Sequence, residues 1–402
     1  MRKAIYRVAR IVLSAALLAA GMLGCGSPDK GSGTSVGVLK DEILLGNSSA
    51  TTGHAGFLGT QYLRGHDLVF SEVNRRGGIH GRRIRVVAYD DQYDPPRTVA
   101  NTRKLIEEDQ VFMLFGYVGT PTSVKVVDLV HEAEIPAFGF FTGAEALRTP
   151  FRPRMFHVRA SYYAEAEAAV AYFIDHLGLE RLAVVYQDDA FGYAVLGGVQ
   201  LALQRRDREV TATATIVRGS TEVQEAVETI QASAADAVIM VGTYTPLAGL
   251  VRLCHDRGYH PYFDTVSFVG SEAYARELID VQEIDRDQFD RIIVTQVVPS
   301  PLAEDYEAVV DFRQAYVQAY PDEAPNYVAL EGFVNARVLV HALEAAGPQP
   351  TRKTLVEALE TLKEFDTGVG QLISYGPNDR KGLGQVYYSK LDPEGTFRTF
   401  TH

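Results

Sequence analysis

The feature that most constrains the fold is a regular alternation of short β-rich apolar runs with longer segments of helical spacing, beginning at Glu42. The predicted strands are 43–46, 84–88, 112–115, 137–141, 182–186, 237–241, 265–269 and 292–297. The predicted helices between them are 62–74, 98–109, 122–132, 163–177, 194–204, 223–232 and 247–257. This alternation is typical of βαβ units and predicts an α/β fold with parallel sheets.

The alternation divides into two βαβ series, one before about residue 158 and one after it. A chain of 402 residues is also too long for one core of the usual size. We therefore expect two doubly wound lobes: 41–158 with 298–370, and 159–297 with 371–402. Helices are predicted at 302–319, 327–346 and 352–362, the first two returning to the first lobe. The tail 371–400 is predicted to be β-rich, with a turn from Gly376 to Asp379.

The first 24 residues have the pattern of an export signal. Arg2, Lys3, Arg7 and Arg10 precede an apolar run at 11–23, which is too short to span a bilayer. The run ends at Cys25 in a sequence similar to a bacterial lipobox, which predicts a lipid-modified cysteine. A plain signal peptide is the alternative. Residues 25–40 are expected to form a flexible tether between this anchor and the first lobe.

Charge, cysteine content and missing motifs argue against nucleic-acid binding, an intrachain disulfide and catalysis. Without residues 1–24 the chain has 35 basic and 51 acidic residues, a balance of −16, so nucleic acid is not an expected partner. Cys254 is then the only cysteine besides Cys25, so no intrachain disulfide is expected. Motifs for a nucleophile elbow, a phosphate loop, H-E-x-x-H or C-x-x-C are missing, and we expect no enzyme, no cofactor and no metal site.

Polar and aromatic residues recur at the carboxyl ends of the predicted strands, which is where open parallel sheets bind ligands. Hydroxyls of Thr120 and Thr142 can hold an anionic group, and Glu272 can hold a cation. Each of these three residues also has a plain alternative role in capping a helix. Flat apolar surface would come from the aromatic residues of the same set, which are Tyr117, Phe140, Phe141, Phe191 and Tyr244.

Four motifs follow one another along the chain: Gly77-Gly-Ile-His-Gly-Arg-Arg, Gly119-Thr-Pro-Thr, Tyr186-Gln-Asp-Asp-Ala-Phe-Gly and Phe268-Val-Gly-Ser-Glu. In their sequence and order they resemble the leucine/isoleucine/valine-binding type of periplasmic solute-binding protein of ABC transporters. The resemblance implies two lobes joined by three crossing segments, a monomer that closes over a small molecule, and delivery to a membrane permease. It also implies that Thr120 and Thr142 hold the backbone groups of an amino acid, that Glu272 meets its ammonium, and that Tyr244 is an aromatic residue of the second lobe.

Departures from the family pattern keep other ligands open. Phe191 lacks the hydroxyl of the tyrosine that amino-acid binders often have, and Phe140 and Tyr117 add bulk. The expected ligand is an amino acid or a related carboxylate or amide. The alternatives are a periplasmic carrier of a hydrophobic ligand, such as an aromatic compound or a lipid like a sterol, and a ligand-sensing subunit of a receptor.

Overall fold

The computed structural model describes residues 35–401 and contains two sheets that belong to the α/β class predicted from the sequence. The first sheet is entirely parallel and has the order β2-β1-β3-β4-β5. Its strands are β1 (Glu42–Ser49), β2 (Arg83–Asp90), β3 (Met113–Phe115), β4 (Ala137–Phe138) and β5 (Met155–Phe156). The predicted strand 137–141 is too long, because Gly139 takes a left-handed conformation with φ of 69° directly after β4.

The second sheet has the order β14-β13-β10-β9-β8-β6-β7, in which only β13 and β14 run antiparallel to their neighbours. Its strands are β6 (Leu182–Gln187), β7 (Ala212–Ile216), β8 (Ala237–Val241), β9 (Tyr262–Thr265), β10 (Ile292–Gln296), β13 (Tyr387–Leu391) and β14 (Phe397–Phe400). A separate hairpin pairs β11 (Phe365–Asp366) with β12 (Leu372–Ile373). The expected β-rich tail is confirmed, as is its turn, where Gly376 pairs with Asp379.

The predicted strand at 265–269 is wrong. The strand β9 ends at Thr265, and residues 267–269 form a single 3-10 turn. Phe268 and Val269 are nevertheless fully buried. The apolar run therefore indicated burial correctly but not the backbone conformation, since a short buried run fits either state.

Helices connect the strands and follow the second series. They are α1 (Gly56–Arg75), α2 (Pro95–Glu107), α3 (Thr120–Ser123), α4 (Val127–Glu132), α5 (Tyr162–Val170), α6 (Ala190–Gln204), α7 (Gln224–Ala232), α8 (Tyr244–Asp256), α9 (Ser271–Arg276), α10 (Glu307–Ala319), α11 (Tyr327–Ala345) and α12 (Arg352–Thr361). None of the helices in residues 35–401 is long and apolar enough to cross a membrane. The export signal and Cys25 lie outside the described residues.

The long helix α11 packs directly on α1. At Gly65 in α1 an added Cβ would lie 1.9 Å from the Ala329 carbonyl oxygen, and at Gly332 in α11 it would lie 2.3 Å from the Tyr62 carbonyl oxygen. Both glycines thus permit a backbone approach that a side chain would block. Helix α11 follows the second series of elements in the chain, yet it packs against α1, the first helix. The exact boundaries of the two lobes remain a prediction.

Candidate ligand-binding site

Five buried aromatic residues meet where the carboxyl ends of the two sheets come together, and we call them the ring group: Tyr93, Phe141, Tyr162, Phe191 and Phe268. Phe268 lies at the centre, with its ring centroid 4.8 Å from Phe191, 5.4 Å from Phe141 and 5.9 Å from Tyr93. Tyr162 contacts Phe191 at 5.3 Å. Tyr93 follows β2 and Phe141 follows β4, whereas Phe191 follows β6 and Phe268 follows β9. Rings from both sheets therefore form one apolar contact.

Local backbone features hold two of these rings in position. The Asp189 carboxylate accepts a hydrogen bond of 2.9 Å from the Phe191 amide, so it caps α6 and fixes where Phe191 enters the helix. The Tyr162 amide donates to the Gly143 carbonyl at 2.8 Å. A Cβ at Gly143 would lie 2.5 Å from that same amide nitrogen, so glycine is required there for Tyr162 to approach.

Two predicted hydroxyl residues lie together beside the ring group. Thr120 Oγ1 and Thr142 Oγ1 are 2.7 Å apart, and both side chains are buried. The Ala144 amide also donates to Thr142 Oγ1 at 3.2 Å. Each hydroxyl can both donate and accept, so the pair can reorient to donate two hydrogen bonds to one carboxylate. Thr142 directly follows Phe141, which brings polar and apolar chemistry to the same place.

A buried cation, Arg159, lies against the same rings. Its guanidinium carbon is 4.9 Å from the Phe141 ring centroid, and the side chain is fully enclosed. It pairs with Glu165 at 3.3 Å and with Glu331 at 3.6 Å, and it donates to Ser267 Oγ. Burial raises the pKa of Glu331 to about 7, which the nearby arginine only partly offsets.

The sequence analysis missed Arg159 and its partners, together with Tyr93, Tyr162 and Phe268. An arginine that follows a buried strand looks like an ordinary loop residue in a sequence. The sequence did hold one signal for Arg159, which is its position within the stretch 155–160. A charged side chain among apolar neighbours is expected to be buried, and a buried charge needs partners.

Two predicted site residues, Tyr117 and Phe140, are not brought to the ring group. They belong to a separate hydrophobic cluster in which their ring centroids are 6.2 Å apart. The Tyr117 hydroxyl bonds with Thr102 Oγ1 at 2.9 Å, and Phe140 packs against His157 at 5.5 Å. Burial of both aromatic residues in this cluster gives them a role in the core of the first sheet.

The remaining two predicted site residues, Tyr244 and Glu272, lie at contacts between the second series of elements and helices α1 and α11. Tyr244 meets Phe57 edge-on, at 6.3 Å between ring centroids. Glu272 Oε1 accepts a hydrogen bond of 3.0 Å from the Tyr327 amide, and its Oε2 is buried without a partner. Burial raises the pKa of Glu272 to about 7. Within residues 35–401, no hydrogen bond or ring contact joins either residue to the ring group.

A comparison with known families decides what kind of protein has this arrangement. Residues 42–396 match the family described as periplasmic binding protein. The chain belongs to this family. Its members are binding proteins, which agrees with two largely parallel sheets whose strand ends meet at the ring group. The predicted resemblance to the leucine/isoleucine/valine-binding type and the predicted fold class are both confirmed.

Individual relatives cover most of the chain. An "Amino acid binding protein" from Pseudomonas aeruginosa is 22% identical over 366 residues, which are 88% of this chain and 95% of the relative. The structure of a possible leucine/isoleucine/valine-binding protein from Rhodopirellula baltica is 29% identical with a TM-score of 0.83, covering 90% of this chain and 96% of that one. A fatty acid ABC transporter substrate-binding protein from Thermomonospora curvata shares the fold at 21% identity and a TM-score of 0.81, covering 92% and 94%.

Proposed function

We propose that this periplasmic binding protein captures a small carboxylate with an apolar or aromatic body and delivers it to an ABC permease. The ring group carries the proposal, because it is drawn from both sheets and lies next to the Thr120–Thr142 hydroxyl pair. Rings supply apolar area at low entropic cost, and the hydroxyls supply donors for a carboxylate. Capture then requires the two sheets to part and close again around the ligand.

Amino acids and related acids or amides are the first ligand class under this proposal. The names of the Pseudomonas and Rhodopirellula relatives support it. In the family pattern Glu272 would meet an ammonium group, and its buried Oε2 has no other partner. An ammonium next to that oxygen would stabilise the ionised carboxylate that burial disfavours. Tyr244, at the start of α8, would complete the second side of the site.

A hydrophobic ligand is the second candidate, and the composition of the ring group favours it. Three of its five side chains, those of Phe141, Phe191 and Phe268, are wholly apolar, and Phe191 brings no hydroxyl to the site. The Thermomonospora protein of the same fold is named for fatty acids. A fatty acid has both the apolar body and the carboxylate that this site could bind. Amino acids and fatty acids therefore have to be compared directly.

Delivery is proposed to begin from the membrane surface. A lipid on Cys25 would anchor the chain in the periplasm, with residues 25–40 as a tether. Replacement of Cys25 by serine should release the protein from the membrane fraction while its ligand binding stays intact. Palmitate labelling of the wild-type chain measures the modification directly, and an unlabelled, freely extracted wild-type protein would contradict the anchor.

The ligand is best identified by native mass spectrometry of protein purified from its host, followed by calorimetry with the compound found. Thr120→Val and Thr142→Val should each weaken binding about 10-fold, because each removes a charge-assisted hydrogen bond. Thr102→Val is the matched control, since it removes a buried hydroxyl from the separate cluster around Tyr117. Equal affinities in all four proteins would refute the site.

A further inference from the structure

A second, basic pocket lies away from the ring group, beside the loop that precedes β5. Its volume is about 170 Å³. Four of its lining residues are cationic and one is acidic: Arg148, Arg152, Arg380, Lys381 and Asp379. In a chain with a balance of −16 after removal of residues 1–24, such a local excess of positive charge requires a physical reason.

One of the four cations is already neutralised. Arg380 pairs with Glu360, and it also donates to the carbonyl oxygens of Pro153 and Gly376. Its guanidinium lies 5.2 Å from the ring centroid of Phe151. Arg380 therefore holds the loop in place, and its charge is not available for a ligand.

The other three cations have no carboxylate within 4 Å among residues 35–401. Arg148 is 7% exposed and donates only to carbonyl oxygens, those of Lys381 at 2.9 Å and Arg159 at 3.2 Å. Its Nε is buried without a partner, as is the Nε of Arg152. Burial lowers the pKa of Arg148 to about 10, an effect that Glu145 only partly offsets and to which Arg159 adds.

The single acid of the pocket does not supply the missing charge. Asp379 Oδ1 accepts a hydrogen bond of 3.0 Å from the Lys381 backbone amide, so this carboxylate shapes the turn. A buried cation without a counter-ion is costly, and guanidinium groups match the geometry of tetrahedral oxyanions. We propose that Arg148, Arg152 and Lys381 form a binding site for a small tetrahedral oxyanion such as phosphate or sulfate.

The position of this site gives the anion a structural consequence. Arg148 already connects the segment between β5 and α5, through Arg159, to the segment between β12 and β13, through Lys381. Both segments lead to elements of the second sheet. A bound oxyanion would add an ionic contact between the 148–152 loop and Lys381, and would so stabilise the chain where it passes to the second sheet. The site does not depend on which ligand the ring group takes.

Inorganic phosphate is the probe, and the mature chain with Cys25→Ser is the protein. At constant ionic strength, replacing chloride by phosphate at ten times its Kd should raise the melting temperature by about 2 °C. The double variant Arg152→Gln/Lys381→Gln should lose this rise, whereas Arg103→Gln/Lys353→Gln, which removes two exposed positive charges elsewhere, should keep it.

Calorimetric titration with phosphate and with sulfate gives a second readout that does not depend on folding stability. We expect saturable binding at one site in the wild-type and control proteins, and at least 10-fold weaker binding in the Arg152/Lys381 variant. The absence of saturable binding in the wild type, or equal affinity in both double variants, would overturn the proposal.

Discussion

Replacing Glu272 by glutamine should change how the stability of this protein depends on pH. Glu272 lies in the first turn of α9 and accepts a hydrogen bond from the Tyr327 amide at the start of α11. Its Oε2 is buried without a partner, and burial raises its pKa from 4.5 to about 7. Glutamine keeps the accepting oxygen and the shape of the side chain, but it cannot ionise.

The sign follows from the two pKa values. Between pH 4.5 and 7 the folded chain binds a proton at Glu272 that the unfolded chain has lost, so stability decreases as the pH rises. Below this window the wild type has no penalty from ionisation. Above it, at 1.36 kcal/mol per pH unit, the penalty reaches about 3 kcal/mol. About 2.5 kcal/mol of this appears between pH 5 and pH 8.

Urea unfolding at pH 5 and at pH 8 measures the effect. We expect the free energy of unfolding of Glu272→Gln, relative to wild type, to be higher at pH 8 than at pH 5 by about 2.5 kcal/mol. Glu107→Gln on the exposed face of α2 is the control, and its free energy of unfolding relative to wild type should be nearly the same at pH 5 and pH 8. If the Glu272 variant and the control changed alike with pH, the reasoning from burial would be refuted.

Three further predictions concern stability, measured by urea or thermal unfolding. Gly65→Ala should destabilise the fold severely because its Cβ would lie 1.9 Å from the Ala329 carbonyl oxygen. Gly249→Ala in α8, where the new Cβ meets open space, should stabilise the fold by about 0.5–1 kcal/mol. Equal effects of the two substitutions would contradict the packing of α1 on α11. Phe268→Ala should cost about 3–5 kcal/mol, since it removes the centre of the ring group, and a cost below 1 kcal/mol would mean that these rings are not packed together. Asn326→Ala should cost about 1–2 kcal/mol by removing the cap of α11, and an unchanged midpoint would refute that role.

The order and type of the elements could be predicted because local patterns determine them. The strand at 237–241 coincides with β8, since five apolar residues are bounded by Asp236 and Gly242. The prediction of a strand at 265–269 is wrong because a buried turn and a buried strand have the same apolar pattern. Its actual end at Thr265 depends on the turn that leads to Gly270, which has φ of 74°.

The candidate site was only partly predictable, because neighbouring residues at a strand end point to different sides. Phe140 and Phe141 are adjacent in the sequence, yet only Phe141 reaches the ring group. Nothing in the order of residues says which of the two faces the other sheet. Arg159 was missed for a different reason. Of its two acidic partners only Glu165 is near it in the sequence, whereas Glu331 lies in a helix far along the chain. A pairing with so distant a residue leaves no local pattern.

The way in which the last two strands join the second sheet has a consequence for how the chain acquires its structure. Strand β10 pairs on one side with β9 and on the other with β13, with Val294 opposite Ser389. Until β13 is synthesised, one edge of β10 is open, and open edges invite pairing with other chains. Because β13 and β14 lie close to the end of the described residues, the second sheet cannot be completed until almost the whole chain is available. A chain that ends before β13 would therefore keep this edge of β10 open and would be prone to pair with other chains.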